Sequence, residues 1–487
     1  MGLLVPKGED PEEKSKKLDP PGPIRLALKI WVLEKPVLTC LHIFLPFAIY
    51  NMHVMNDNDA KSEAITFLTC LLAVVPLAER LGYATEQVSG HTGEVAGGLL
   101  NASFGNVPEL VVTIIAIKSG LELIAIQMLL GSLISCLLLV TGLSVFFGGL
   151  KHKVQTFNTA NSSTLISMIL IIATFSGLIT MAEMHGTGVD TLEQHKIPGA
   201  LAASRALAVV GMVVYIMYLV YSLVTHKEMF DEKGEKEDGE DDDDDDEPEL
   251  SALAAICMMA ALVALISYLS DGLVSAIDGA AEHSGIPPLI LCTLIIPNVN
   301  NAPEHAVAIL MAWNGQLDAS IGISVGSAAQ LAIFLVPFAI LADWVAGGYI
   351  GFGMEPILAA GLAISALFAA ILLSSGKCTW MHGVLLITAY AAIIGAFWLS
   401  ASIGQKEAFS DSTVAWVIDL LKSATTSVRN KASQEALLAA HIHNASSKAH
   451  SATDIDAHDA HWVQSAMFIP GTIHAALRAQ HAMQATS

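Results

Sequence analysis

Two short stretches of this chain carry residues that could do chemistry. The first is Gly105-Asn106-Val107-Pro108-Glu109 and the second is Asn300-Asn301-Ala302-Pro303-Glu304-His305. Each sits in a long apolar run, where a carboxylate costs roughly 2.5–3.5 kcal/mol on membrane-insertion scales. Proline directly before each Glu removes a helix donor and crowds the carbonyl four residues back. Those carbonyls belong to Phe104 and Val299. Gly105 loosens the same turn in the first copy. Carboxylates, Asn amide oxygens and freed carbonyls are hard oxygen ligands, the set that Ca²⁺ takes.

The two stretches are copies. Glu304 lies 195 positions after Glu109, and the same shift carries Asn106 onto Asn301 and Pro108 onto Pro303. It also carries Gly120 onto Gly315, Gly131-Ser132 onto Gly326-Ser327, and Gly90 onto Gly285, with no gap. A single buried Glu could be an oddity of packing. Two with the same neighbours at the same spacing point to a shared task.

The elements that must hold them are transmembrane helices. The chain has 487 residues, of which 53% are hydrophobic and 14% charged. Apolar runs of about 20 residues recur, the length that spans a bilayer as helix. The fold class is therefore an all-α polytopic membrane protein. About 11 transmembrane helices are expected, one N-terminal helix plus two inverted five-helix repeats. An odd number of spans per repeat forces opposite orientations, the plan of secondary transporters with ion sites on broken helices near the midplane.

Six segments follow in order. Residues 1–24 are charged and Pro-rich, without the apolar core of a secretory leader, and read as a disordered cytosolic tail. Residues 25–63 hold an extra first transmembrane segment. Residues 64–226 form the first five-helix repeat and 250–401 the second. Between them, 227–249 is an acidic cytosolic linker with fifteen Asp or Glu from Glu228 to Glu249. It reads as a solvated connection or as a cation-sensing segment; like charges keep it from folding alone. Residues 402–487 form an Ala- and His-rich tail, read as polar and poorly ordered, with pH sensing or metal binding as the sharper alternative. Lys and Arg of the N-terminal tail, Arg80, Lys151, Lys153 and Lys377 fall on one side of this topology, and by the positive-inside rule that side is cytosolic.

The net charge of −22 comes largely from the linker, and acidic balance argues against nucleic acid as a partner. The six cysteines lie in or beside apolar segments without a CxxC pair and read as small hydrophobes. No Ser/His dyad or HExxH is present, so no enzyme is expected.

At this point the residues resemble a known family. Pro76-Leu77-Ala78-Glu79, Ala84-Thr85-Glu86, the run Gly98 to Asn106 with Glu109, and Gly131-Ser132 carry the likeness in the first half. Ser270-Asp271, Ile277-Asp278-Gly279, Asn301 with Glu304-His305, and Gly326-Ser327 with Gln330 carry it in the second, and Ser204-Arg205 belongs to it too. They resemble the paired repeats of the calcium/cation antiporter superfamily, and within it the cation/proton exchangers. The paired Asn fits that branch, whereas Pro before each Glu is similar to the sodium/calcium exchangers. Asn300 stands where the pattern has Gly, and Cys136 where it has Asn.

The resemblance implies an antiporter that exchanges Ca²⁺, or a related divalent cation such as Mn²⁺, for H⁺ by alternating access. Sodium-coupled calcium exchange is the alternative, and a cation channel a more distant one. Glu109 and Glu304 are expected to bind the cation, with Asn106, Asn301, Ser132, Ser327, Gln330 and the Phe104 and Val299 carbonyls completing the shell. Gly105, Pro108 and Pro303 break the helices. Glu86, Asp271 and Asp278 read as a cation pathway or as solvated span ends, and His305 as a proton relay or a polar cap. With the cation gone, two close carboxylates repel each other and favour protons, which neutralise the site for the return stroke. The expected substrates are Ca²⁺ and H⁺, with no resident cofactor. The surroundings are membrane lipid, with vacuolar or other acidic-organelle location, and a homo-oligomer is left open.

Overall fold

The computed structural model describes residues 36–54, 59–92, 105–187, 198–226 and 248–404. The N-terminal tail, all of the acidic linker except its last two residues, the tail beyond Gly404, and Phe104 lie outside them. Nearly everything described is helix, as the apolar runs require: without water, backbone donors and acceptors must pair within the segment.

Two short helices open the described chain, α1 (Pro36–Leu41) and α2 (Phe44–Val54), followed by the long α3 (Ala60–Thr92). Then come α4 (Val107–Lys118), α5 (Glu122–Lys151), α6 (Thr159–Thr187) and α7 (Gly199–Thr225). The second half contains α8 (Ala252–Ser275), α9 (Ile277–Ser284), α10 (Pro288–Asn300) and α11 (Ala302–Trp313). It ends with α12 (Leu317–Ala346), α13 (Pro356–Leu373) and α14 (Trp380–Gly404).

Backbone geometry repeats at the interval read from the sequence. Shifted by 195, α4 falls residue for residue on α11. Gly120 and Gly315, which end the turns after them, both take positive φ (73° and 92°), a conformation glycine adopts without steric cost. A wide π-turn interrupts α5 at Ser135–Val140, and another interrupts α12 at Leu331–Leu335. Under the same shift these overlap. Such turns are rare and cluster at functional sites.

The described residues do not confirm the exact count of eleven spans. Among the described residues eight helices are long and apolar enough to cross a membrane, or nine if α9 and α10, bent by 115°, count as one span. The expected run 287–312 is two helices broken at Asn301, because Pro303 cannot donate to Val299. The first expected span is likewise split into α1 and α2. In the run 92–117 only the twelve-residue α4 falls within described residues. Apolar run length measures depth, not helix continuity. Arg80 lies inside α3, 1% exposed and 3.0 Å from Glu79.

Two apolar clusters fill the interior. One joins α2, α3, α8 and α9, with apolar residues of α4 and α10 against it. The other joins α5, α6, α12, α13 and α14. A two-residue antiparallel ribbon, Gln155–Thr156 with Lys377–Cys378, ties the end of α5 to the start of α14. The cysteines are all free; Cys70, Cys136, Cys292 and Cys378 are buried, but Cys40 and Cys257 are exposed.

Candidate cation site

Asn106 and Asn301 occupy the N-cap positions of α4 and α11, and neither side chain caps its own helix. An N-cap Asn ordinarily accepts from the second or third amide of the helix; Pro108 and Pro303 at the second position have no such amide. The freed side chains turn elsewhere. Glu109 and Glu304 are then the third residues of their helices, in the first turn, where unpaired amides and the helix dipole favour a carboxylate.

Asn106 is 3% exposed and reaches into the second repeat. Its Nδ2 donates to Gln330 Oε1 at 2.8 Å, and its Oδ1 accepts from Ser327 Oγ at 3.1 Å. Both partners lie on α12, a helix of the other repeat. Ser327 Oγ also lies 4.0 Å from Cys136 Sγ on α5. Cys136 is within electrostatic reach of both Glu109 and Glu304, and the two glutamates act on each other. So one carboxylate from each repeat lies within electrostatic reach of Cys136, whose Sγ neighbours the Asn106–Ser327–Gln330 group.

Glu109 is 7% exposed and its Oε1 has no hydrogen-bond partner. The Asn301 side chain lies near enough to act on that carboxyl, yet its Nδ2 makes no hydrogen bond of ordinary length. Asn300, 4% exposed, leaves its Oδ1 unpartnered as well. Buried polar atoms without partners cost about 1–3 kcal/mol each, so the two unpartnered oxygens, Glu109 Oε1 on α4 and Asn300 Oδ1 at the end of α10, are the ones free to take a cation. Among the described residues no three His, Cys, Asp or Glu side chains converge. Two carboxylates with amide, hydroxyl and carbonyl oxygens make a hard-ligand site.

The other expected residues fall as follows. Ser132 is 2% exposed on α5, one turn before Cys136. The Val299 carbonyl, deprived of a donor from Pro303, accepts from the Asn301 amide, which it shares with Pro297. Glu304 and His305 are half-buried, and His305 Nε2 is unpartnered. Glu86, Asp271 and Asp278 lie on exposed faces; Asp278 is within electrostatic reach of Cys292. Ser204 and Arg205 hold the loop after α12: Ser204 Oγ accepts from the Phe352 amide at 3.1 Å, and Arg205 donates to the Gly348 carbonyl at 3.2 Å.

Reasoning on the sequence missed Ser135, Asn298, Tyr390 and Thr113. Ser135 is the counterpart of Gln330 under the 195 shift, so the repeat itself held the signal. Thr113 stands one helical turn after Glu109, 1% exposed, with its Oγ1 unpartnered.

A family model described as "Sodium/calcium exchanger protein" matches residues 62–224 and again 254–399. The chain is 36% identical over 384 residues to "Vacuolar cation/proton exchanger 5" of Arabidopsis thaliana, covering 78% of this chain and 85% of that one. It is 35% identical over 366 residues to "Vacuolar calcium ion transporter" of Schizosaccharomyces pombe, covering 75% and 85%. Among solved structures, native YfkE superposes with a TM-score of 0.59 at 26% identity, over 74% of this chain and 99% of that one. With the family model matched once in each repeat, around Glu109 and around Glu304, the chain belongs to the sodium/calcium exchanger protein family.

Proposed function

We propose that this protein is a secondary active antiporter that exchanges Ca²⁺ for H⁺ across a membrane by alternating access. The observation that carries the reading is the matching placement of Glu109 and Glu304, one from each repeat, in the first turns of two helices that open with proline, within electrostatic reach of each other. The curated relatives that bear the names of vacuolar cation/proton exchangers support it, and place its membrane at a vacuole or similar acidic organelle.

The geometry performs exchange by competition. The cation takes the two carboxylates, the Asn106 and Asn301 amide oxygens, the Ser132 and Ser327 hydroxyls, Gln330 and the Val299 carbonyl. Protons take the same carboxylates when it leaves. Either occupant neutralises charge in a low-dielectric place, whereas the empty, doubly charged site is costly to carry across. Only the filled site therefore reorients, which couples the two fluxes. Glu86, Asp271 and Asp278 lead cations toward the site from the helix surfaces.

Purified protein in vesicles with an acidic interior tests this. An imposed proton gradient drives ⁴⁵Ca uptake, and collapse of the gradient stops it. If an outward sodium gradient supports uptake and a proton gradient does not, sodium is the coupling ion and the reading fails.

A further inference from the structure

We propose that Ser135, Asn298 and Tyr390 form a clasp across three helices that positions the end of α10, and with it the Val299 carbonyl and Asn301, for the cation. The inference rests on the Ca²⁺/H⁺ reading above. Ser135 Oγ on α5 donates to Asn298 Oδ1 at 2.6 Å. Asn298 Nδ2 donates to the Leu294 carbonyl at 2.6 Å and to Tyr390 OH on α14 at 2.8 Å. The Ser135 side chain also acts on the Tyr390 phenol. The Asn298 amide is thus engaged at both ends, and Tyr390, 6% exposed, completes the clasp from α14.

The place of this clasp gives it a task beyond packing. Asn298 directly precedes Val299 and stands three residues before Asn301, on the last turn of α10. That turn follows a π-turn at Leu291–Ile295 and ends at the break made by Pro303, so its own helical hydrogen bonds hold it loosely. Ser135 adjoins Cys136, which is in reach of both glutamates. In the other half, Gln330 at the matching position reaches the N-cap Asn106 directly. Ser135, shorter than Gln330, donates to Asn298, with Tyr390 as the second anchor of that amide. Ligands held through such a second layer of hydrogen bonds lose affinity when that layer is cut.

The test uses the full chain in vesicles, with Tyr390→Phe, Ser135→Ala and the double variant. Wild-type protein must first show proton-driven Ca²⁺ uptake; if it does not, the underlying reading fails rather than the clasp. Given that activity, each single variant raises the KM for Ca²⁺ about tenfold, keeps the maximal rate within about twofold, and changes the Ca²⁺/Mn²⁺ preference. The double variant is no worse than the worse single one, because both cut the same clasp. Unchanged KM and preference, or effects that simply multiply, overturn the proposal. If Tyr390→Phe fails to reach the membrane, Ser135→Ala alone decides, since loss of one small hydroxyl leaves the helices packed.

Discussion

Asn106 and Gln330 join the two repeats directly: the Asn106 amide at the start of α4 donates to the Gln330 side-chain oxygen at 2.8 Å. The tie holds a buried N-cap residue that its own helix leaves free. Its removal has a readable effect. Gln330→Ala leaves the buried Asn106 donor unsatisfied, a loss of about 1–3 kcal/mol. The expected result is an increase in the KM for Ca²⁺ of roughly tenfold or more, read from ⁴⁵Ca uptake as a function of free Ca²⁺. Unaltered KM would detach Gln330 from the site.

Glu109 and Glu304 are expected to be indispensable one at a time. Glu109→Gln and Glu304→Gln keep size and hydrogen bonding but remove the charge that both cation and proton need. Each should abolish proton-driven uptake while the protein still reaches the membrane. Retention of exchange by both variants would remove the two carboxylates from the exchange site.

Competition fixes the sign of the pH effect. Carboxylates must lose their protons before they bind metal. Lowering pH on the side from which Ca²⁺ enters therefore raises the apparent KM, by up to about tenfold per pH unit for each proton displaced. The rate at saturating Ca²⁺ is unaffected on that side. Initial rates at several pH values check it, and a fall in maximal rate with constant KM would contradict it.

Gly131 makes a structural prediction. A Cβ there would stand 2.5 Å from the Thr293 carbonyl oxygen and 2.6 Å from its Cα. Those are backbone atoms of α10, which cannot move aside without shifting the cation ligands. Gly131→Ala should cost at least about 1–3 kcal/mol, as overpacking does, and lower the melting temperature of detergent-solubilised protein. An unchanged melting profile would mean that α5 and α10 are not so closely apposed.

Asn300 departs from the first copy, which has Gly105. Its buried, unpartnered Oδ1 is available to the cation, whereas Gly offers no side-chain oxygen. Asn300→Gly should fold, since it restores the residue of the matching position, and should weaken Ca²⁺ relative to Mn²⁺, which tolerates fewer oxygens. Uptake of the two ions in competition measures the shift; an identical preference removes Asn300 from the shell.

The residues alone determined the membrane class, the duplication and the glutamates, because each is a matter of composition or interval. A carboxylate in an apolar run and a constant shift of 195 are visible without any contact. The number of continuous helices was not, since an apolar run reads the same whether the chain passes through it straight or breaks at Asn301. Nor could the copies be told apart. By spacing, Ser135 and Gln330 are equivalents; in the fold one reaches Asn298 and the other Asn106, because a side chain two bonds longer spans a gap that a hydroxymethyl group does not. Tyr390, far along the chain and outside any motif, enters the same clasp only because α14 packs beside α5. Local sequence can specify which groups are costly to bury. Which distant groups relieve that cost is settled when the two repeats close on each other.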